Sequence, residues 1–272
     1  MNEPVVREIL TALMPAWGPH EVRRIEYLPG GYTNRNYRVE VQDQAYVLRV
    51  VEGTAPRHCE RDYLALDVAP DVVAYDPSRG HLLTRWIPGQ VLADSPPSPA
   101  EAGEYLADLH ARIPLGLNRY DFDREITGMF RRASRLDPAV QACFEATAWR
   151  PATWRGCHND LNPWNVIRVE GEESATRFRT LDWESAGDND PLFDLVGLCV
   201  GLGWGMEHAR ACHDAYQRGG TGIASETRLR DTFRAFLIRE YAWAVAQLAI
   251  GNDRDEIRAQ VATSRDALAD WF

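Results

Sequence analysis

Four polar residues near the middle of the sequence have types and spacing that suit chemistry on a metal-bound substrate. His158, Asp160 and Asn165 lie in the segment HNDLNPWN, and Asp182 follows at the end of a later apolar run, RFRTLDW. Carboxylate and amide oxygens are the ligands that Mg²⁺ prefers. Asp160 can face a substrate hydroxyl while Asn165 and Asp182 hold a metal ion, which is what phosphoryl transfer requires.

The elements before this motif are predicted to be mostly strands. Alternating hydrophobicity predicts about five strands and an inserted helix in the first part of the chain, after a short amphipathic N-terminal helix. The predicted strands are 22–28, the hairpin 37–51 and a pair within 71–87, and the predicted helices are 3–14 and 57–69. The turn segments QDQ and DPSRG join the strands of the two hairpins.

The segment PGQVLADSPPSP marks a change from strand to helix. Two short strands, around NVIRV and RFRTLDW, bracket the motif, and the remaining periodicity is helical. The predicted helices are 99–113, 191–202, 206–217, 226–250 and 254–272. We therefore expect an α+β fold with a small β-rich lobe, residues 1–87, and a larger, mainly helical lobe, residues 88–272.

The composition excludes several classes of function. The 272 residues carry a formal net charge of −10, which argues against nucleic acid or an anionic membrane as a partner. The N-terminal residues lack the basic stretch and apolar core of a signal peptide, and the five cysteines form no CxxC pair, so we expect a cytoplasmic protein with reduced thiols. All 30 basic residues are Arg, so Arg must fill every cationic role.

The motif resembles a known family. HNDLNPWN together with DWESAGDNDPLFDL is similar to the catalytic and metal-binding loops of the protein-kinase-like superfamily. The closest resemblance is to aminoglycoside phosphotransferases and choline/ethanolamine kinases, in particular to the bacterial choline kinases that decorate surface glycans. The resemblance implies a bilobal kinase fold and an enzyme that uses ATP and Mg²⁺ to phosphorylate the hydroxyl of a small-molecule alcohol.

The resemblance also implies roles for single residues of the motif. Asp160 would orient the acceptor hydroxyl and take its proton, and His158 would hold the catalytic loop. Asn165 and Asp182 would bind Mg²⁺, with Glu184 assisting a second metal ion. Asp194 is expected to be a buried carboxylate that accepts hydrogen bonds from the backbone of the catalytic loop.

The N-terminal half contains the counterparts of a nucleotide site. LPGGYTNRNYRV is similar to the phosphate-covering loop of these families, which assigns Gly30, Gly31, Thr33 and Asn34 to the phosphates. Arg49 in AYVLRV stands where most kinases carry a phosphate-pairing Lys, and choline-kinase-like members commonly have Arg there.

Two further residues complete the expected nucleotide site. Glu60 is the expected ion-pair partner of Arg49, with Glu52 and Asp62 as alternatives. Trp86 in TRWIPGQVL lies where these enzymes contact adenine, although it is equally compatible with ordinary packing.

Aromatic residues late in the chain suggest the acceptor. In YAWAVAQ, Trp243 precedes Gln247 by four residues, as in choline kinases, but Glu240 replaces a second Trp of the eukaryotic members. Trp204, Glu240 and Trp243 are therefore expected to bind a cationic substrate through aromatic faces and a carboxylate.

Choline or ethanolamine is the first expectation for the acceptor. Thiamine, an aminoglycoside, a sugar or an amino-acid hydroxyl remain alternatives, and Glu207, Asp214 and Glu240 keep a polycationic aminoglycoside open. The other functional class is a nucleotide-binding pseudokinase. It would be expected to lack a metal ligand or the catalytic Asp, and the sequence retains both.

Overall fold

The computed structural model describes residues 3–18, 20–29, 34–52, 60–172, 177–217 and 225–269. Its helices are α1 (Glu3–Leu13), α2 (Glu60–Tyr63), α3 (Pro99–Arg112), α4 (Phe122–Arg132), α5 (Pro138–Ala146), α6 (Pro191–Gly201), α7 (Met206–Gln217), α8 (Glu226–Ala249) and α9 (Asp255–Ala269). Its strands are β1 (Val22–Leu28), β2 (Asn34–Val41), β3 (Gln44–Val51), β4 (Val72–Tyr75), β5 (Leu82–Arg85), β6 (Gly89–Val91), β7 (Arg155–Cys157), β8 (Val166–Val169), β9 (Phe178–Thr180) and β10 (Gly187–Asn189).

The chain divides into two compact units, each of two segments. The first unit comprises Met1–Ser95 and Trp164–Ser185, and the second comprises Pro96–Pro163 and Ala186–Phe272. The mixed α+β class predicted from the sequence, with a β-rich N-terminal region and a helical C-terminal part, is confirmed. The proposed lobe boundary between residues 87 and 88 stays a prediction.

An antiparallel sheet of five strands, in the order β1-β2-β3-β5-β4, forms the centre of the first unit. Alternation along β3 sends Tyr46, Leu48 and Val50 to one face, where they pack in a buried cluster that includes Val6 and Leu10 of α1. The period of two along a strand therefore directs the intervening Arg49 to the opposite face.

A smaller sheet, β6-β8-β9, holds the segment that follows the HNDLNPWN motif in the sequence. Val166 of β8 pairs with Thr180 of β9 in antiparallel register. The sequence did not predict β6, which pairs with β8 through a close approach at Gly89. A Cβ at Gly89 would lie 2.1 Å from the carbonyl oxygen of Arg168, so the pairing requires glycine there.

The predicted helix 57–69 is wrong over most of its described length. Helix α2 ends at Tyr63, and turns follow. The backbone carbonyl of Val68 accepts a hydrogen bond of 2.8 Å from Thr180 N–H, and Tyr63 stacks on Trp183 with ring centroids 6.0 Å apart. These contacts compete with continuation of the helix, so tertiary packing overrides the local propensity.

Helices dominate the second unit, and α6 lies among them as a buried element. Its N-cap is Asp190, whose side chain accepts a hydrogen bond from Leu192 N–H, and Pro191 occupies the first helical position. The short strands β7 and β10 pair antiparallel and were not predicted, nor were α4 and α5. Within the described residues, none of the helices combines the length and the apolarity that crossing a bilayer needs.

Candidate active site

A buried ion pair joins Arg49 of β3 to Glu60 of α2. The guanidinium and the carboxylate meet through two hydrogen bonds, of 2.6 Å and 2.7 Å. Arg49 is 8% exposed and Glu60 is fully buried. Burial opposes the charge of Arg49, but the hydrogen bonds and charge of Glu60 outweigh it, so the pKa of Arg49 is raised. Glu52, one of the alternative partners, pairs with Arg35 at 2.8 Å instead.

Asp182 lies beside this pair. Its Oδ1 is 3.5 Å from Nη1 of Arg49. The backbone of Asp182 has a φ of +62°, in the left-handed region that costs a non-glycine residue about 1–2 kcal/mol. Trp183 anchors the strained residue, since its ring is fully buried and its Nε1 donates to the carbonyl of Thr180 at 2.8 Å.

Asn165 and Asp182 are held close along the small sheet of the first unit. The carbonyl of Asn165 accepts a hydrogen bond of 2.7 Å from the N–H of Leu181, the residue before Asp182. Glu184 lies partly exposed in the turn that follows. The amide of Asn165 and the carboxylates of Asp182 and Glu184 can each offer an oxygen atom as a ligand. Oxygen ligands fit a hard cation such as Mg²⁺.

The remaining residues assigned to the nucleotide are only partly described. Gly30, Gly31 and Thr33 lie outside the described residues, whereas Asn34 is buried at the start of β2. The indole of Trp86 is partly exposed and lies under the guanidinium of Arg38, 4.7 Å from the ring centroid. The backbone N–H of Trp86 donates to Ala45 at 3.0 Å, so this donor already serves the sheet.

One buried carboxylate holds the loop of the second unit that contains His158, Asn159 and Asp160. Asp194 on α6 accepts hydrogen bonds of 2.7 Å from the backbone N–H groups of both His158 and Asn159. The imidazole of His110 lies 3.0 Å from the same carboxylate. Burial alone would raise the pKa of Asp194, but these hydrogen bonds and nearby imidazoles prevail and lower it. The expected role of Asp194 in bonding the loop backbone is confirmed.

Within the loop, His158 and Asn159 make structural contacts. His158 is fully buried, and its Nδ1 accepts a hydrogen bond of 3.3 Å from the backbone N–H of Asp160. Asn159 has a φ of +65°, and its side chain donates to Gly187 at 3.0 Å and accepts from Asn189 at 2.6 Å. The pair of asparagines was not predicted as part of the site.

Asp160 contacts a buried arginine that sequence reasoning missed. Its Oδ1 accepts a hydrogen bond of 2.7 Å from Nη2 of Arg239 on α8. The other terminal nitrogen of Arg239 donates to Glu240, whose second oxygen accepts from Gln260 at 2.7 Å. An Arg-Glu pair inside the apolar run FLIREYAW was the available signal, since charges in a buried helix are normally paired.

The residues expected to bind the acceptor lie on or near the helices of this unit. Trp243 is partly buried on α8, one turn beyond Glu240. Trp204 is partly buried after α6 and stacks on His208 with ring centroids 5.4 Å apart. Burial raises the pKa of Glu240, against the opposing charge of Arg239. Both carboxylate oxygens of Glu240 already accept hydrogen bonds from protein groups, and its role in substrate binding stays a prediction.

Each unit thus contains a distinct set of reactive groups. The first offers a buried guanidinium and oxygen ligands, which suit nucleotide phosphates and a divalent cation. The second offers a carboxylate on a tightly held loop, which suits a hydroxyl that must be oriented and deprotonated.

Comparison with known proteins identifies relatives over most of the chain. A family model described as the phosphotransferase enzyme family matches residues 24–236. A thiamine kinase from Escherichia coli O17:K52:H18 is 28% identical over 217 residues, and the match covers 73% of this chain and 73% of that protein. A thiamine kinase from Escherichia coli O157:H7 is 27% identical over the same aligned length, with the same coverage of both chains.

Solved structures resemble the chain over nearly its full length. A choline/ethanolamine kinase family protein from Mesorhizobium loti has a TM-score of 0.75 and 25% identity, covering 98% of this chain and 95% of its own. The choline kinase LicA from Streptococcus pneumoniae has a TM-score of 0.76 and 18% identity, over 98% and 99%. Aminoglycoside 2'-phosphotransferase-IIIa, in a GDP complex, has a TM-score of 0.68 and 17% identity over the whole of both chains.

These likenesses confirm the protein-kinase-like fold class that the sequence motifs implied. The family model covers more than half of the chain. The chain therefore belongs to the phosphotransferase enzyme family and is a small-molecule kinase whose phosphate acceptor is an alcohol hydroxyl.

Proposed function

We propose that the chain is an ATP- and Mg²⁺-dependent kinase of a small cationic alcohol, with choline or ethanolamine as the first candidates. The observation that carries the nucleotide part of the proposal is the Arg49–Glu60–Asp182 cluster. The Arg49 guanidinium is desolvated, charged and held by two hydrogen bonds to Glu60. Its second carboxylate neighbour, Asp182, is one of the proposed oxygen ligands of the metal ion. Guanidinium is a strong partner for phosphate oxygens, and carboxylates are strong ligands for Mg²⁺.

The proposed roles follow from these positions. Arg49 binds donor phosphates, and Asn165, Asp182 and Glu184 hold the metal ion. When bound, Mg²⁺ neutralises phosphate charge and orients the transferred group. Asp160 orients the acceptor hydroxyl and accepts its proton. The N–H of His158 donates to Asp194 and the N–H of Asp160 donates to the His158 ring, and these bonds keep Asp160 in place.

The acceptor is proposed to be cationic because of two carboxylates that share a partner and an aromatic residue on the same helix. Trp243 lies one turn beyond Glu240 on α8, and two carboxylates, Asp160 and Glu240, contact one guanidinium, that of Arg239. An aromatic face near excess negative charge favours an ammonium group. The likeness to a choline/ethanolamine kinase family protein supports choline or ethanolamine.

Thiamine is the second candidate, and the curated relatives favour it. They are thiamine kinases that match 73% of this chain at 27–28% identity. Thiamine and choline have common chemistry, since each carries a hydroxyethyl arm and a quaternary nitrogen. Thiamine differs in its two aromatic rings, which need a larger stacking surface.

An acceptor panel tests the proposal. The wild type and Asp160→Asn would be incubated with ATP and Mg²⁺ and with choline, ethanolamine, thiamine, an aminoglycoside, a hexose or serine in turn. ADP release would be measured, and the phosphorylated product would be identified by mass spectrometry. Turnover of choline or ethanolamine at the highest kcat/KM supports the first candidate, and preference for thiamine selects the second. Nucleotide binding without turnover of any acceptor would identify a pseudokinase and overturn the proposal.

Trp243→Ala tests the cationic part of the proposal. A quaternary ammonium on an aromatic face gains about 0.5–2 kcal/mol, so loss of the ring should raise the KM for choline about two- to thirtyfold. The KM for ATP should change little, and circular dichroism would check that the variant is folded. An unchanged KM for choline in a folded variant would remove Trp243 from the acceptor site.

A further inference from the structure

Arg239 is a buried cation that lies between two carboxylates of the second unit, Asp160 and Glu240. It is 7% exposed, in the middle of α8, the longest of the described helices. Nη2 donates to Asp160 at 2.7 Å, and Nη1 donates to Glu240. Its remaining donor, Nε, is buried and has no hydrogen-bond partner among the described residues. The guanidinium therefore directs its terminal nitrogens to the two acids, and one of those acids is the proposed catalytic residue.

A second layer of contacts holds Arg239 in this place. Gln260 on α9 donates to Glu240 at 2.7 Å and to Ser264 at 3.3 Å. The path Asp160–Arg239–Glu240–Gln260 thus links the catalytic loop to two helices of the same unit. Desolvation of a guanidinium is expensive unless nearby carboxylates offset it. Both carboxylates raise the pKa of Arg239 despite its burial, so it remains charged.

The first unit contains the same arrangement independently. There Arg49 is buried, pairs with the fully buried Glu60 and reaches Asp182. In both places an aspartate proposed for chemistry contacts a buried Arg that also has a glutamate partner. The repeated pattern indicates that the arginines hold the aspartates, because packing alone would not require a charged side chain at either position.

We propose that Arg239 is a positioning residue for phosphoryl transfer, which fixes the Asp160 carboxylate in the orientation that receives the acceptor hydroxyl. The terminal torsion of an aspartate is broad and roughly two-fold, so the carboxylate of an unrestrained Asp160 would sample many orientations. A guanidinium on Oδ1 restricts that torsion. Misplacement of a reacting group by about 1 Å can cost about 10²-fold in rate. This inference rests on the proposed role of Asp160 as the residue that orients and deprotonates the hydroxyl.

The test compares Arg239→Met and Arg239→Lys with a control on the same helix. Arg234→Met is the control, because Arg234 is partly exposed and pairs locally with Asp231. With the best acceptor of the panel, Arg239→Met should lower kcat by about 10–10²-fold and change the KM for nucleotide by less than about threefold. Arg239→Lys keeps a charge without the fork and should recover part of kcat. The control should match the wild type.

A double-mutant cycle separates positioning from general stabilisation. If Arg239 acts through Asp160, Arg239→Met should lower kcat by less than about threefold in an Asp160→Asn background. Equal losses in the two backgrounds would overturn the inference, as would a wild-type kcat in folded Arg239→Met. Should Arg239→Met fail to fold, Arg239→Lys takes its place in the cycle with the same criteria. If the wild type is active and the losses of kcat from Arg239→Met and Asp160→Asn multiply independently, only the inference about Arg239 is refuted. If the wild type phosphorylates no acceptor, the proposed function and the inference are both refuted.

Discussion

Two buried arginines contact the two aspartates to which we assign the chemistry. Arg49 reaches Asp182, and Arg239 reaches Asp160. The sequence contains no Lys, so guanidinium must fill both positions. Its planar fork can bind two carboxylates in fixed directions, which a single ammonium on a flexible stem does less well.

Asp160→Asn should nearly abolish phosphoryl transfer and leave nucleotide binding largely intact. The amide cannot accept the hydroxyl proton, and orientation and base roles together contribute about 10²–10⁴-fold. Steady-state kinetics would give kcat, and calorimetry would give the nucleotide affinity. A variant with a kcat within about threefold of the wild type would contradict the assigned role.

Arg49→Lys should retain part of the activity, and Arg49→Ala should lose most of it. The Lys variant keeps a charge but loses the fork, whereas the Ala variant leaves the buried Glu60 carboxylate without its partner. Steady-state kinetics and thermal melts would be compared with Arg24→Ala, a change at a largely exposed site on β1. Wild-type activity in Arg49→Ala would show that another group holds the phosphates.

At the scale of elements, α6 connects the core of the second unit to the catalytic loop. Its N-terminal turn begins at Asp190, which also accepts hydrogen bonds from Ala152 and Arg228. One turn later, Asp194 satisfies two consecutive backbone N–H groups of the loop. The loop conformation therefore depends on a helix that follows it in the sequence.

Asp194→Asn should destabilise the protein by about 2–4 kcal/mol near neutral pH, because an amide cannot replace both acceptor oxygens of a buried carboxylate. The pKa of Asp194 is lowered below its ordinary value of 3.8, so its contribution is complete above that pH and is lost as the pH falls through the folded pKa. Urea denaturation from about pH 7 down to about pH 3 would measure this effect.

The difference between wild type and Asp194→Asn should therefore narrow below the ordinary pKa of an aspartate. Asp108→Asn is the matched control, since Asp108 is partly exposed on α3 and pairs with Arg112. That change should alter stability by no more than about 0.5 kcal/mol. A constant difference between wild type and Asp194→Asn at every pH would contradict the link to the carboxylate charge.

At the scale of the whole molecule, nucleotide and metal should stabilise the protein together. A ligand at 100 times its Kd adds about 2.7 kcal/mol to the unfolding free energy. For a chain of this size, that amount corresponds to a rise in Tm of about 5–10 °C. Thermal melts with ATP and Mg²⁺ should show this rise, and a chelator should remove it.

Asp182→Ala should lose the Mg²⁺-dependent part of that rise, because it removes the main proposed carboxylate ligand. Asp43→Ala is the control, as Asp43 is largely exposed in the turn between β2 and β3. The metal role of Asp182 would be wrong if its variant showed the full rise and wild-type activity.

Long elements could be predicted because they have a clear period. The pattern of VRRIEYL predicts β1 at its observed bounds, and the helical period predicts α7 at its observed bounds and α8 to within one residue. The strands β6, β7 and β10 have three residues each, too few to show alternation, and they form only where a partner strand is present. Helix α2 is shorter than predicted for a different reason. A residue that follows it, Val68, accepts a hydrogen bond from Thr180 of β9.

The sequence by itself determined the motif residues and the kinase family they resemble, because the types and spacing of these residues are local in the chain. It left Glu52, Glu60 and Asp62 as possible partners of Arg49, and the folded structure selects Glu60. Only the tertiary structure decided that Arg239 meets Asp160, since 79 residues separate them. The same holds for His110, whose imidazole lies 3.0 Å from the Asp194 carboxylate although 84 residues separate them in the sequence. Long-range partners of a buried charge are selected by packing and desolvation, which depend on the folded surroundings and leave no periodic signal in the sequence.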